Sequence, residues 1–150
     1  MKIVIQRVSK ASVTIHKNKV AEIEKGLLIL LGIVATDAQE DINFLVRKIA
    51  NLRIFNDERG VMNTSLIDID GAVLVVSQFT LQASTNKGNR PSYIKAAKPE
   101  TAIPLYENFV QTLEKEIGKK VQTGEFGADM KVELLNDGPV TIIIDSKNKE

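Results

Sequence analysis

The 150-residue sequence predicts one α/β domain: a twisted, largely antiparallel β-sheet or partly closed barrel covered by two long helices. Three observations carry that expectation. The opening third alternates apolar and polar residues at the strand period, two later segments repeat apolar residues at the helical period, and no linker, internal repeat or low-complexity stretch divides the chain. With 43% hydrophobic residues, one core can form without a disulfide or metal staple, so residues 1–150 are read as a single domain.

The strands come first. KIVIQRV, ASVTIH, KVAEIE and GLLILLGI follow one another with polar breaks, the pattern of a meander or of a sheet curling toward a barrel. AQEDINFLVRKIANLRIF then places Ile42, Leu45, Val46, Ile49 and Leu52 on one helical face, with Asp37 as the expected cap. NDERG is a turn, and GAVLVVSQFTL is a strand whose near-continuous apolar run suits burial on both faces. TAIPLYENFVQTLEKEIG carries Ala102, Tyr106, Phe109, Leu113 and Ile117 on one stripe; Pro104 fits a helix best in its first turn, which makes Thr101 the expected cap. Two more strands, MKVELL and VTIIID, flank NDGPVT before a charged tail.

Composition excludes several chemistries. Cysteine is absent, which removes thiol nucleophiles and zinc thiolate sites. The single histidine, His16, lies in SVTIHKNK beside an expected hairpin turn, where an exposed side chain rather than a catalytic imidazole is anticipated. No carboxylates or histidines fall at metal-ligand spacing, so no metal or other cofactor is expected. GLLILLGIV is far short of a membrane span, and the start lacks the apolar core of a signal peptide; a soluble, cytoplasmic protein without a membrane partner is the expectation.

Net charge is only +1, yet Gly71 through Pro99 contains no Asp or Glu while carrying Lys87, Arg90, Lys95 and Lys98. Such a loop can meet phosphates, and it is also what a solvated loop looks like. Two further stretches invite a choice. NDGPVT is either a hairpin turn or a rigid Gly-Pro element presenting carbonyl oxygens to a ligand, since proline cannot donate to a β-ladder. SQFTL gathers an amide and two hydroxyls at a strand end, with Thr80 the first residue to suspect as a nucleophile although no base adjoins it in sequence.

SQFTL, KGNRPSY, GEFGADMKVEL and NDGPVT, in this order and spacing, together with the opening QRVSKASV, resemble the D-aminoacyl-tRNA deacylase family along essentially the whole chain. The resemblance implies an editing hydrolase that cleaves the ester between a D-amino acid and the terminal adenosine of tRNA, working as a homodimer. It implies a cis bond between Gly138 and Pro139, which enter the partner subunit's pocket around Ser77, Gln78, Phe79 and Thr80 and reject L-residues by steric clash. It makes Arg7 the brace of that element and sets Phe126 and Met130 near the terminal adenosine and the pocket wall. Lys87 and Arg90 are the expected RNA contacts, and tRNA charged with D-amino acids or glycine the expected substrate. The family route is assisted by the substrate's ribose hydroxyl; covalent catalysis by Thr80 is the alternative mechanism. A non-catalytic RNA-binding domain, with Tyr93 as a stacking platform, is the alternative from another class.

Overall fold

The computed structural model describes residues 1–149. Its axis is β1 (Lys2–Ile15), a single strand of 14 residues where the sequence pattern suggests two. Burial alternates through Ile3, Ile5 and Arg7, then breaks at exposed Ser9 and Lys10, where the ladder to the last strand shifts register. A bulge of this kind inverts which residues face inward, and that inversion is what reads as a strand boundary.

The chain reverses at His16 and Lys17, both at positive φ (48° and 65°), into β2 (Asn18–Ile23) and then β3 (Gly26–Gly32). These two strands take one edge of β1 end to end, β3 against residues 2–8 and β2 against residues 11–15. His16 is exposed, as anticipated. The helix α1 (Gln39–Asn51) crosses over to β6 (Ala72–Ser77), which lies parallel to β3. A short hairpin, β4 (Phe55–Asn56) and β5 (Met62–Thr64), interrupts the crossover around the predicted NDERG turn. After α2 (Pro99–Ile117), the two-residue β7 (Gln122–Thr123) extends the sheet beyond β6, again in parallel.

The last strand, β8 (Lys131–Asp145), corrects the hairpin reading of NDGPVT. MKVELL and VTIIID are halves of one strand, and both pair with β1 on the edge opposite β2 and β3. Among the described strands β8 pairs with β1 alone, so its outer edge is open.

Two cores form on opposite faces. Ile3, Ile5, Leu27, Ile29 and Leu31 pack under α1 and α2 against Ile42, Leu45, Ile49, Phe109 and Leu113. Val8, Val13, Ile15, Ala21, Ile23, Leu28, Leu74 and Val76 pack where the far end of the sheet curls over its own back. β6 is covered on both sides, which accounts for its unbroken apolar run.

Helix starts differ from expectation. α1 is capped at Ala38, whose N–H donates to Asp41 at 2.8 Å. Asp37 instead accepts the Val34 N–H at 2.8 Å and pairs with the Met1 ammonium, a partner far away in sequence. α2 starts at Pro99, not after Thr101, because Pro99 occupies the first position, where a missing N–H costs nothing; Pro104 therefore falls inside the helix, one turn later than expected. No described helix is long and apolar enough to cross a membrane.

Candidate active site

β6 ends at Ser77, and the backbone turns instead of continuing as strand to Leu81. Gln78 N–H donates to Leu31 O at 2.7 Å, and residues Phe79–Gln82 form a 3-10 turn. This turn sits on the end of β3: Gln82 Nε2 donates to Gly32 O at 3.0 Å, and a Cβ on Gly32 would lie 2.8 Å from Leu81 Cβ and 3.0 Å from Gln78 O. Glycine is required there by close approach. The first bond within the turn runs from Leu81 N–H to Gln78 O, which leaves the N–H groups of Phe79 and Thr80 ahead of it, at the position where a helical turn offers donors outward.

Ser77, Gln78 and Phe79 line a cavity of about 310 Å³. Phe126, Met130 and Val132 also line it, with Ala97 and Ala102. Thr80 is not a lining residue; its Oγ1 accepts from Gln78 Nε2 at 2.6 Å. Phe126 meets the ring of Tyr106 edge-on at 5.8 Å. Tyr106 is buried and donates its hydroxyl to Val75 O at 3.2 Å; burial pushes its phenol up to about 12, against a smaller opposing hydrogen bond with Thr123. One buried phenol thus ties the strand bearing Ser77 to the loop bearing Phe126. Asp129 is the single ionisable lining residue, and both its oxygens are 3.0 Å from Lys131 Nζ. A larger cavity, about 490 Å³, runs along β1, β2 and β8 and contains none of the predicted site residues. Volume alone is a poor guide here: besides the exposed charges of Lys10, Lys19, Glu22 and Glu133, that groove is lined by a single other polar side chain, Ser12.

Gly138 and Pro139 stand elsewhere. Asn136 is paired with Val8 and Thr141 with Gln6, so residues 137–140 leave the ladder as an exposed excursion. The Gly138–Pro139 bond is cis, and Gly138 sits at φ 124°. Arg7 is buried against the base of this excursion, with Nε donating to Asp137 O at 3.0 Å and Nη1 to Ile54 O at 2.7 Å. Asn136 Oδ1 accepts the Val140 N–H at 3.1 Å, closing the other side. Neither Gly138 nor Pro139 lines the cavity of its own chain. Lys87 and Arg90 lie in the exposed loop after the 3-10 turn, whose base is closed by paired bonds between Ser84 and Ser92 at 2.8 and 2.9 Å. Among the described residues, no three His, Cys, Asp or Glu side chains are grouped to hold a metal ion.

The model of the D-Tyr-tRNA(Tyr) deacylase family matches residues 4–145. The chain belongs to this family. It is 73% identical to the D-aminoacyl-tRNA deacylase of Flavobacterium psychrophilum and 67% identical to that of Bacteroides fragilis, in each case over 150 residues and the full length of both chains. Among solved structures it resembles a c-Myc DNA unwinding element binding protein, with a TM-score of 0.90, 43% identity, and coverage of 97% of this chain and 98% of the other. A probable eukaryotic D-amino acid tRNA deacylase shares the fold at a TM-score of 0.82 and 15% identity, covering 95% and 97% of the two chains. The family expectation drawn from four motifs therefore holds, as does the architecture of a curled sheet with two helices.

Within the deacylase fold, sequence reading gave Gly32, Gln82 and Asp129 no role, and Tyr106 none at the site. A signal existed for Gly32, a glycine closing a buried strand, which marks close backbone approach. Tyr106 was legible only as part of the core stripe of α2.

Proposed function

We propose that the chain is a D-aminoacyl-tRNA deacylase, releasing free amino acid and tRNA from the ester, and that it acts as a homodimer in the cytoplasm. Family membership over residues 4–145 supports the reaction. The observation that carries the assembly is the separation of two elements: Ser77, Gln78 and Phe79 line the cavity, while Gly138 and Pro139 project, exposed, from a strand whose outer edge is open. A second copy covers that edge and delivers its Gly138 and Pro139 to the cavity of the first. Exposed Leu134, Leu135 and Ile143 along β8 support burial of this strand between copies.

In the assembled site the carbonyl oxygens of Gly138 and Pro139 from the second copy accept hydrogen bonds from the substrate's α-ammonium. The ester carbonyl points at the N–H groups of Phe79 and Thr80, which stabilise the oxyanion as it forms. With both ends fixed, a D-side chain projects into open space and an L-side chain meets the Gly-Pro backbone, so selection works by exclusion. Glycine, with two hydrogens on Cα, passes. Water attacks the carbonyl carbon, the bond to the ribose oxygen breaks, and the departing oxygen takes the proton. The neighbouring ribose hydroxyl assists the proton transfer. The Gln78–Thr80 hydrogen bond supports this RNA-assisted route over a Thr80 nucleophile, because the amide of Gln78 donates to Thr80 Oγ1 and cannot take its proton. Phe126 and Met130 flank the terminal adenosine, and Lys87 and Arg90 meet phosphates.

The deciding experiment incubates the purified protein with D-tyrosyl-tRNA and L-tyrosyl-tRNA and follows free tyrosine, alongside sedimentation of the protein alone. Release from the D-substrate only, by a dimer, is expected. Tight tRNA binding without release would establish the non-catalytic RNA-binding reading.

A further inference from the structure

We propose that Phe79 and Tyr93 form a stacking platform for an unpaired nucleobase of the RNA, the one preceding the nucleotide that carries the ester. This inference rests on the deacylase reading above and adds a subsite to it. Of five phenylalanines and two tyrosines, only these two are exposed, at 56% and 40%. They touch each other, with ring centroids 5.1 Å apart in an edge-to-face arrangement. Backbone hydrogen bonds hold the pair from both sides. Phe79 opens the 3-10 turn seated on Gly32, and Tyr93 follows Ser92, whose N–H and C=O both bond to Ser84. Tyr93 O in turn accepts the Ala96 N–H at 3.0 Å, and Ala97 N–H donates to Ile33 O at 2.9 Å, anchoring the far end of the loop to the sheet.

Position and charge select the occupant. Phe79 lines the cavity, whereas Tyr93 does not line it but touches Phe79, so a base on the pair adjoins the reacting nucleotide. The segment Gly71–Pro99, which carries both rings, holds Lys87, Arg90, Lys95 and Lys98 and no acidic residue. Aromatic faces interleaved with cations suit a single-stranded polyanion, because every base offers a π-face while the cations track the phosphates. An apolar protein surface meeting the same patch would have to desolvate those cations without partners.

The test compares wild type, Tyr93→Ala and Tyr93→Phe on two substrates, D-tyrosyl-tRNA and the D-tyrosyl ester of adenosine, which has no preceding nucleotide. Tyr93→Ala should raise KM for the tRNA roughly tenfold, the loss of one base-stacking contact, with kcat unchanged. Tyr93→Phe should restore KM, and the gap should vanish on the adenosine ester. An equal loss on both substrates, an unchanged KM for tRNA, or a lowered association state of Tyr93→Ala in sedimentation would each overturn the platform. Should wild type hydrolyse neither substrate, the deacylase reading fails separately, and titration with uncharged tRNA decides the platform: weaker binding by Tyr93→Ala upholds it, equal binding sinks it.

Discussion

Arg7 Nε lies 3.0 Å from the backbone oxygen of Asp137 and 3.5 Å from its carboxylate, so one guanidinium grips the base of the Gly138–Pro139 excursion by main chain and by charge together. The same side chain reaches Ile54 O with Nη1 at 2.7 Å, joining β8 to the segment after α1.

Lysine cannot make both contacts, since its single ammonium replaces a planar fork. Arg7→Lys should therefore leave the buried Ile54 carbonyl or the Asp137 carbonyl unpaired, costing about 1–3 kcal/mol. Thermal melts should show a fall of roughly 2–4 °C per kcal/mol. If Gly138 positions substrate as proposed, deacylation of D-tyrosyl-tRNA should fall further, by roughly tenfold to a hundredfold, because the element is then misplaced. A melting temperature that drops while the rate holds would confine Arg7 to a purely structural role.

Gly138→Ala is the complementary substitution. At φ 124° an L-residue is strained, and the new Cβ would lie 2.8 Å from Arg7 Nη2 and 3.0 Å from Val140 Cγ2. A cost of about 1–3 kcal/mol follows from the backbone alone. The ratio of D- to L-tyrosyl-tRNA cleavage and the D-rate should both collapse while the fold persists by circular dichroism. Wild-type selectivity in a folded Gly138→Ala protein would remove this element from the discrimination step.

The periodic parts of the fold were legible because they depend on local spacing: Ile42, Leu45, Val46 and Ile49 are buried, as are Ala102, Tyr106, Phe109 and Leu113. What escaped depended on distant partners. Asp37 looks like a cap until the Met1 ammonium claims it, and the bulge in β1 makes one strand look like two. NDGPVT has the composition of a hairpin turn, and only the pairing of both flanks to β1 shows that it is an excursion within one strand. At the site, the motif residues were readable one by one. Their shared cavity was not, since it brings Phe126 and Met130 to the end of β6, far away in sequence, and no local spacing encodes that.

Stability toward acid should turn on Asp41. Burial raises its pKa, but hydrogen bonds from Lys147, Ser146 and the Ala38 N–H outweigh burial and hold the carboxyl at about 2, below its ordinary 3.8. A lowered folded-state pKa means that the ionised form is favoured by folding. Its contribution is complete above pH 3.8 and is lost as pH falls from there toward 2. Asp41→Asn should lower the melting temperature at neutral pH and flatten its decline across that acid window. Parallel melting curves for the two proteins throughout would show that other carboxylates carry the acid limb.

Thr80→Val tests the chemistry. If main-chain donors and the ribose hydroxyl carry hydrolysis, the variant should retain measurable activity, whereas loss of a true nucleophile costs several orders of magnitude. The substrate side gives the mirror experiment. D-tyrosyl-tRNA ending in 2′-deoxyadenosine should be cleaved poorly even by wild type. Normal cleavage of the deoxy substrate together with a dead Thr80→Val would transfer the reaction to the threonine.

Exclusion and attraction part company at glycine. A pocket that gripped D-side chains would pass over a residue without one, but a pocket that only excludes L-side chains has nothing with which to reject two hydrogens. Besides Ser77 and Gln78 the cavity is lined by Phe126, Met130 and Val132, and its one ionisable lining residue, Asp129, is paired with Lys131. Apart from Ser77, Gln78 and the paired Asp129 the lining side chains are apolar, so selectivity among D-residues should be shallow and glycyl-tRNA should be cleaved. Rates on glycyl-, D-tyrosyl- and L-tyrosyl-tRNA at one enzyme concentration decide the matter. Glycine grouping with the D-substrate is the expected outcome; glycine grouping with the L-substrate would mean that the site recognises D-side chains by contact, and the role proposed for Gly138 and Pro139 as a steric filter would fall with it.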